Sequence, residues 1–299
     1  MESIAIGGVK IEKSAALAPM ASVADKSYRL MCKEFGAAYM VSEMISSKGL
    51  CYNDKKTARL CEIEPQERPY ALQLFGEEPE FMGKAAYILN RFSPDIIDIN
   101  MGCPVPKVVK TGAGSALMKT PDIARNIVTN TVKAAAQYGK PVTVKTRVGW
   151  DQDDRTGAEF AGLLADSGAS AVCVHGRTRE QMYHGASSVE LIARSCEKVK
   201  PYGIPFLANG DIKDGITAAK MIGETRADGV MIGRAARGNP WIFRQVREYL
   251  KSGKIIEEPT EEERYDMLLR ELKGTAEHVG EITAVKEMRS VMPHYIKIG

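Results

Sequence analysis

Eight short apolar runs recur along the chain, separated by longer amphipathic stretches. The runs are rich in Val, Ile, Leu and Ala, which is typical of parallel strands that are buried on both faces. Their alternation with helical stretches predicts βα units, and eight of them predict a closed (β/α)8, or TIM, barrel of the α/β class. The runs are centred on Leu17, Met40, Leu72, Ile97, Val144, Cys173, Leu207 and Met231.

The pattern changes near the C-terminus of the chain. After Trp241 the sequence becomes charged and helical, and Pro259 and Thr260 before three glutamates mark the start of a helix. We therefore predict two domains: a catalytic barrel over residues 1–243 and an all-helical domain over residues 244–299.

Polar groups and glycines end the predicted strands. In TIM barrels the C-terminal ends of the strands form the catalytic face. A single polar residue at a strand end is more often solvated or a helix cap than a ligand contact, but eight strands that all end this way predict a site. The groups are Pro19 and Met20, Glu43, Gln73, Asn100, Lys145, His175, Asn209 to Asp211, and Gly233 with Arg234.

The last two predicted strands lead into glycine-containing turns before helices. Free backbone N–H groups and a helix N-terminus can hold a phosphate there, and Arg234 would add charge-assisted hydrogen bonds. The alternative is that the glycines only serve tight turns. Lys145 could face the anionic centre of a bound ligand, or it could form a structural ion pair.

Composition narrows the function classes. The chain has 299 residues, 44% of them hydrophobic, which is enough for one barrel core with a small appendage. Its six cysteines show no metal-ligand spacing, so no metal is predicted, and unpaired thiols suit a reducing cytoplasm. We expect no signal peptide, no membrane span and a cytoplasmic protein. A net charge of +3 neither demands nor excludes a polyanionic partner.

The segment IDINMGCP at residues 97–104 continues to Lys107 and Gly112 and resembles the signature of the tRNA-dihydrouridine synthase family. Further matching motifs follow the same order along the chain. They are APMA at 18–21, QL at 73–74, KTR at 145–147, HGRT at 175–178, NGDI at 209–212 and GR at 233–234. The resemblance covers the barrel from about Ala15 to Phe243.

The resemblance implies an FMN-dependent reduction of specific uridines in tRNA, with NADPH or NADH as electron donor. Cys103 would be the general acid, a neutral thiol on a mobile loop that gives a proton to C5 while the flavin gives a hydride to C6. FMN would lie across the barrel mouth, with Lys145 facing its anionic N1 side. The implied ring contacts are Pro19, Met20, Ala21, Gln73, Lys145 and His175. The implied ribityl and phosphate contacts are Asn209, Gly210, Asp211, Gly233 and Arg234.

A uridine inside folded RNA must leave its stack to reach a flavin, so the surrounding RNA must be held. Each basic residue near the mouth is by itself most often a solvated charge, but as a group they predict an RNA surface. The candidates for substrate or RNA contact are Asn100, Lys107, Lys110, Arg177, Arg179 and Arg237. We also expect the helical domain to contact RNA and the protein to be a monomer.

Two places depart from the family pattern. Where the family usually has Asp-Trp, this chain has Ser187 and Ser188, and Arg289 is followed by Ser290 instead of Lys-His. The family also normally continues through another helix, which implies a shortened C-terminal region. Two alternatives remain open at this point: an FMN enzyme for a free pyrimidine, similar to dihydroorotate dehydrogenases, and an RNA-binding protein without activity.

Overall fold

The computed structural model describes residues 2–21, 23–154 and 156–296. The eight predicted runs all form strands of one closed parallel barrel, so the barrel prediction is confirmed. The barrel strands are β3 (Ala15–Leu17), β4 (Met40–Ser46), β5 (Tyr70–Phe75), β6 (Ile96–Met101), β7 (Val142–Arg147), β8 (Ala171–His175), β9 (Phe206–Asn209) and β10 (Gly229–Ile232). They lie around the barrel in the order β10-β3-β4-β5-β6-β7-β8-β9.

Side-chain alternation along the strands separates two apolar layers. In β6, Ile97 and Ile99 pack with the surrounding helices, whereas Ile96 belongs to a second cluster inside the barrel. The strand period of two therefore turns Asp98 and Asn100 to the same inner side as Ile96. The polar residues at the inward positions form the floor of the site.

An antiparallel hairpin precedes the barrel. It consists of β1 (Ser3–Ile6) and β2 (Val9–Glu12), joined by a turn in which Gly7 has a positive φ of 56°. Ile6 and Ile11 are buried and pack with the inner barrel cluster, so the hairpin closes the end of the barrel opposite the strand C-termini. The sequence pattern did not predict this hairpin, because its short strands alternate charged and apolar residues.

Helices surround the barrel and continue beyond it. The helix predicted to follow Thr260 is confirmed, and Thr260 and Glu263 form a capping box. The helices are α1 (Lys26–Glu34), α2 (Ser47–Cys51), α3 (Lys55–Arg59), α4 (Pro79–Leu89), α5 (Pro106–Val109), α6 (Pro121–Ala136), α7 (Gly157–Asp166), α8 (Val189–Val199), α9 (Gly215–Thr225), α10 (Trp241–Ser252), α11 (Glu261–Val279), α12 (Glu281–Met288) and α13 (Met292–Tyr295).

The predicted domain boundary between residues 243 and 244 falls inside α10. This helix packs against α9 and β3, so it takes the place of the eighth outer helix of the barrel. We propose that the boundary lies in the segment 253–260, between α10 and α11. Residues 297–299, which the predicted helical domain includes, lie outside the described residues, as does residue 1 of the predicted barrel domain.

The C-terminal helices join the barrel through a buried carboxyl group. Helix α11 packs on α1, and Glu271 of α11 is 1% exposed. The hydroxyl of Tyr295 donates to Glu271 Oε2 at 2.5 Å, and Thr275 donates to Asp25 at 2.7 Å. Burial raises the pKa of Glu271 to about 8, so the folded protein favours the neutral acid.

This raised pKa predicts a pH-dependent stability. Because the folded pKa of Glu271 lies above its ordinary value of 4.5, this group's contribution to stability is full below that value and is lost as pH rises to about 8. We expect Glu271→Gln to raise the free energy of unfolding by about 1–3 kcal/mol at pH 8.5 and to flatten its fall with pH. Thermal unfolding across this range checks it, with the exposed Glu277→Gln as control. Parallel pH profiles for both variants and the parent would contradict it.

Within the described ranges, no helix is both long and apolar enough to cross a membrane.

Candidate active site

A cavity of ≈ 580 Å³ opens at the C-terminal ends of the barrel strands. It adjoins a cleft of ≈ 740 Å³, and both are lined by the turns that follow β9 and β10. The cavity brings together residues from strands that are far apart in sequence. Those that carry chemistry are Met20, Asn100, Cys103, Lys145, Arg147, His175, Asn209 and Arg234.

The predicted cofactor residues meet at this cavity with one exception. Pro19, Met20, Ala21, Lys145, His175, Asn209, Gly210, Asp211, Gly233 and Arg234 all line it. Gln73 does not, because its side chain is 0% exposed and lies below the mouth. Its amide nitrogen donates to Asp98 and its amide oxygen accepts from Asn100, and its contact with the edge of a flavin ring stays a prediction.

Lys145 supplies a partly buried cation to the lining of the cavity. Its Nζ donates to Asn209 Oδ1 at 3.0 Å, and Asn209 Nδ2 donates in turn to the carbonyl of Met231 at 2.8 Å. Burial lowers the pKa of Lys145, because the charged form loses its hydration. An ammonium held by a neutral amide retains donors for an anionic ligand.

His175 lies beside this cation. Burial lowers the pKa of His175 well below its ordinary range, and the charges of Lys145 and Arg147 lower it further. The imidazole is therefore neutral at physiological pH and presents one donor and one acceptor.

Two arginines share Asp211 at the far end of the cavity. Arg177 donates to both of its carboxylate oxygens, at 2.8 and 2.9 Å, and Arg234 donates to one of them at 3.0 Å. Gly210 and Asp211 have φ values of 140° and 49°, which the turn after β9 requires. The Arg234 side chain is 52% exposed and faces the cleft, so it can also meet an anion.

Cys103 lies at the cavity mouth, and the residue is 9% exposed. Burial raises the pKa of Cys103 above 9.0, despite the nearby charges of Arg147 and Lys145. The thiol is therefore protonated at neutral pH, which a proton donor requires and a nucleophilic thiolate would not show.

The loop that carries Cys103 is held on both sides, in contrast to the mobile loop that the sequence suggests. The backbone N–H of Cys103 donates to Asn100 Oδ1 at 2.9 Å, and the Cys103 carbonyl accepts from the backbone N–H and the hydroxyl of Ser115. Arg147 Nε donates to the carbonyl of Gly102 at 2.8 Å. These contacts fix the backbone around the thiol.

The sequence reasoning missed Arg147 and Tyr183 as cavity residues. Arg147 also donates to the carbonyls of Thr178 and Met182, and burial lowers its pKa to about 10. Tyr183 is 51% exposed, and its ring lies 5.8 Å from the guanidinium of Arg147 and 5.5 Å from that of Arg234. Arg147 stood in the quoted motif at 145–147, but only the barrel geometry turns it into the cavity.

The side chain of Arg177 points into the protein, and its contact with RNA stays a prediction. Its side chain is 3% exposed and binds Asp211 and the carbonyls of His184 and Gly185, so its donors are used internally. Lys107 and Lys110 are exposed on and next to α5.

The other RNA candidates are partly engaged. Arg179 lies 4.8 Å from the Trp150 ring. Arg237 lines the cavity and donates to the carbonyl of Ser290 at 2.5 Å, and Asn100 also lines the cavity. The structure therefore leaves Lys107 and Lys110 as the most accessible cations of the predicted set.

The departure at Ser187 is accommodated by two glycines. Its backbone N–H donates to Asp211 at 2.8 Å. A Cβ on Gly176 would lie 2.2 Å from the Ser187 hydroxyl, and a Cβ on Gly210 would lie 2.0 Å from it, so a side chain at either position would collide with the serine. Helix α8 then begins after Ser188, whose side chain caps it. A serine fits this loop because both neighbouring positions lack side chains.

Comparison with known families decides the assignment. The family model described as dihydrouridine synthase (Dus) matches residues 16–298. The chain belongs to the dihydrouridine synthase family. It is 39% identical over 292 residues to tRNA-dihydrouridine synthase B of Xanthomonas axonopodis pv. citri, covering 98% of this chain and 86% of that protein. It is 41% identical over 253 residues to tRNA-dihydrouridine synthase B of Escherichia coli, covering 84% of this chain and 76% of that protein.

Solved structures with the same fold are more distant from this family member. Histamine dehydrogenase from Rhizobium sp. 4-9 matches with a TM-score of 0.64 and 12% identity, over 84% of this chain and 47% of that one. Morphinone reductase in complex with tetrahydroNAD matches with a TM-score of 0.56 and 13% identity, over 88% of this chain and 93% of that one. Both likenesses concern the barrel fold.

In the described part of the chain, no group of three or more potential ligands is placed to hold a metal ion.

Proposed function

We propose that this protein is an FMN-dependent tRNA-dihydrouridine synthase that reduces the C5=C6 bond of uridines with NADPH or NADH. The observation that carries the proposal is the protonated Cys103 thiol at the mouth of a cavity whose floor holds the Lys145 cation. Membership of the dihydrouridine synthase family and relatives named tRNA-dihydrouridine synthase B support the substrate.

The residues present fit FMN. The cavity offers a cation at Lys145 for the anionic side of a reduced flavin ring. The adjoining cleft offers Arg234 and the turns at Gly210 and Gly233 for the ribityl phosphate. A Cβ on Gly233 would lie at an ordinary contact distance of 3.6 Å from Ala18, so packing within the protein does not require this glycine, and its lack of a side chain leaves the backbone of the turn open to a ligand.

Each polar group at the mouth has a role in this reaction. Reduced FMN, when bound, supplies the hydride for C6 of the uracil ring. Cys103 holds a proton on Sγ and gives it to C5, and the electron pair left on sulfur is stabilised by the nearby charges of Lys145 and Arg147. The neutral His175 donates one hydrogen bond without adding a further charge. Burial of these groups keeps bulk water from competing as the proton source.

The RNA must present its uridine as an extruded base, because the thiol lies inside the mouth. Lys107 and Lys110 are exposed near Cys103 in sequence and are the cations we assign to the RNA backbone. Asn100 and Arg237 line the cavity and are assigned to the nucleotide itself. A tRNA substrate would place the enzyme in the cytoplasm, and we propose that it acts as a monomer.

The test is dihydrouridine formation in unmodified tRNA. Purified protein with FMN and NADPH is incubated with transcribed tRNA, and the nucleosides are measured by mass spectrometry. We expect dihydrouridine only when protein, flavin and reductant are all present. If flavin binds and is reduced but no dihydrouridine forms, the tRNA substrate is wrong, and a free pyrimidine or uracil base becomes the next substrate to assay.

A further inference from the structure

A short basic helix lies in the connection between β4 and β5. Helix α3 carries three exposed cations in five residues, which are Lys55, Lys56 and Arg59. Tyr52, just before this helix, is 73% exposed, and its ring centroid lies 5.8 Å from that of Phe81. We call Tyr52, Lys55, Lys56 and Arg59 the α3 surface.

The connection that carries the α3 surface starts on the catalytic face of the barrel. Helix α2 begins at Ser47, directly after β4 ends at Ser46, so it lies at the C-terminal ends of the strands. Helix α3 packs back against α2: the backbone N–H of Asp54 donates to the carbonyl of Gly49 at 3.0 Å. A Cβ on Gly49 would lie 2.7 Å from the Thr57 hydroxyl, so the two helices are in close contact.

The same connection borders the loop that follows Cys103. Lys48 of α2 pairs with Glu77 at 2.6 Å, at the end of the next strand along the barrel. A Cβ on Gly112 would lie 3.6 Å from the Glu77 side chain, and Gly112 belongs to the loop that carries Lys107 and Lys110. The α3 surface and these two lysines therefore lie on neighbouring loops of one rim.

The cations of α3 are free to meet a partner. Lys48 nearby is neutralised by Glu77 and Glu78, and the Asp54 carboxylate is used as the cap of α3, where it accepts from the backbone N–H and the hydroxyl of Thr57. Among the described residues, no acidic side chain pairs with a cation of α3.

Helix formation does not explain these cations. Lys55 and Lys56 occupy the first two positions of α3, where the free backbone N–H groups favour a negative charge. Lys55 and Arg59 are four residues apart, and like charges at this spacing weaken a helix. An uncharged polar residue would suit the helix better at each position, so the three charges point to an anionic partner.

RNA is the anionic partner that this arrangement fits. A polynucleotide presents a row of phosphates, which lysine and arginine hold through charge. The exposed Tyr52 ring beside the cations can stack on an unpaired base, a contact that a lipid headgroup does not offer. An extruded uridine that enters the neighbouring cavity leaves the rest of its RNA lying over the rim, where the α3 surface is.

We propose that the α3 surface is a second contact for the substrate RNA, in which its three cations hold backbone phosphates and Tyr52 stacks on an unpaired base. The inference rests on the proposed function, in which tRNA is the substrate. None of the four residues lines the cavity, so the surface contributes to RNA affinity and not to the chemistry.

The double variant Lys55→Gln with Lys56→Gln tests the phosphate contacts in the FMN-loaded enzyme. Its matched control is Lys10→Gln with Lys133→Gln, which removes the same charge from exposed positions on the β1–β2 hairpin and on α6. Filter binding measures the Kd for unmodified tRNA over a range of salt. In the double variant we expect Kd to rise by about tenfold and the slope of log Kd against log salt to fall by about 2, about one for each phosphate contact. The control should bind as the parent does.

Further readouts separate RNA binding from chemistry. In the double variant, KM for tRNA should rise by about tenfold while kcat stays within about twofold. Reduction of the flavin by NADPH, which needs no RNA, should keep the parent's rate. Tyr52→Ala should weaken tRNA binding by about fivefold or more, whereas Tyr52→Phe keeps the ring and should bind as the parent does.

The outcomes distinguish the α3 surface from the proposed function. If the double variant keeps the parent's Kd and salt slope, or the control pair loses as much, the α3 surface is wrong, while dihydrouridine formed by the parent leaves the function standing. Weaker binding in the double variant alone supports the surface even if the parent forms no dihydrouridine. A parent that binds no tRNA overturns both. If the double variant keeps its tRNA affinity but loses affinity for phosphatidylserine vesicles, the surface binds membranes and the RNA contact is wrong.

Discussion

Replacing Cys103 with alanine is expected to lower dihydrouridine formation by about 10²–10⁴-fold, the usual contribution of a positioned general acid. Flavin binding should persist, because the residues assigned to FMN lie on other strands of the same cavity. Dihydrouridine in tRNA is measured by mass spectrometry after single-turnover reaction with reduced enzyme. Oxidation of the bound flavin by tRNA, followed by its absorbance, reports the same step independently.

The matched control for this variant is Cys51→Ala. Cys51 is half-buried and its thiol contacts the carbonyl of Phe81, away from the cavity. We expect this change to leave activity within about twofold of the parent. Because the pKa of Cys103 is raised by burial, the parent should also keep its activity up to about pH 9, where an ordinary thiol is half ionised. An alanine variant with parental turnover would show that another group delivers the proton.

Replacing Lys145 with methionine is expected to slow reduction of the bound flavin by NADPH by about tenfold or more, because a fixed cation no longer stabilises the anionic reduced ring. Methionine retains the approximate length of the side chain and fills the same partly buried space. Stopped-flow absorbance measures the reduction, and a titration with FMN measures the affinity in parallel. We expect the midpoint potential of the flavin to become more negative.

The control for Lys145 is Lys133→Met on the outer face of α6, where the side chain is exposed. Equal reduction rates in Lys145→Met and the parent would mean that Lys145 does not face the anionic side of the ring. A loss of FMN affinity without a change in the potential would assign Lys145 to binding alone. In that case the charge would act on the oxidised and reduced flavin equally.

Part of the fold was predictable because its signals are local. Each barrel strand is a short apolar run covered on both faces, and the capping box at Thr260 lies within four residues of sequence. The hairpin of β1 and β2 was not predictable in this way. Ile6 and Ile11 become core residues only because they cover the end of a barrel that is built from the rest of the chain.

The site, like the fold, has features that the local sequence predicts and features that only the tertiary structure decides. The order of motifs along the chain indicated the family and predicted Cys103 as the proton donor and most of the cavity residues, since each motif ends a strand and strand ends meet on one face of a barrel. Only the tertiary structure decided that Arg177 is internal and that Gln73 lies beneath the cavity and binds Asp98 and Asn100. Sequence shows which polar groups are available at a strand end. Which of them face a ligand and which satisfy one another depends on partners brought together from distant strands, because every buried polar group must find its hydrogen bonds in three dimensions.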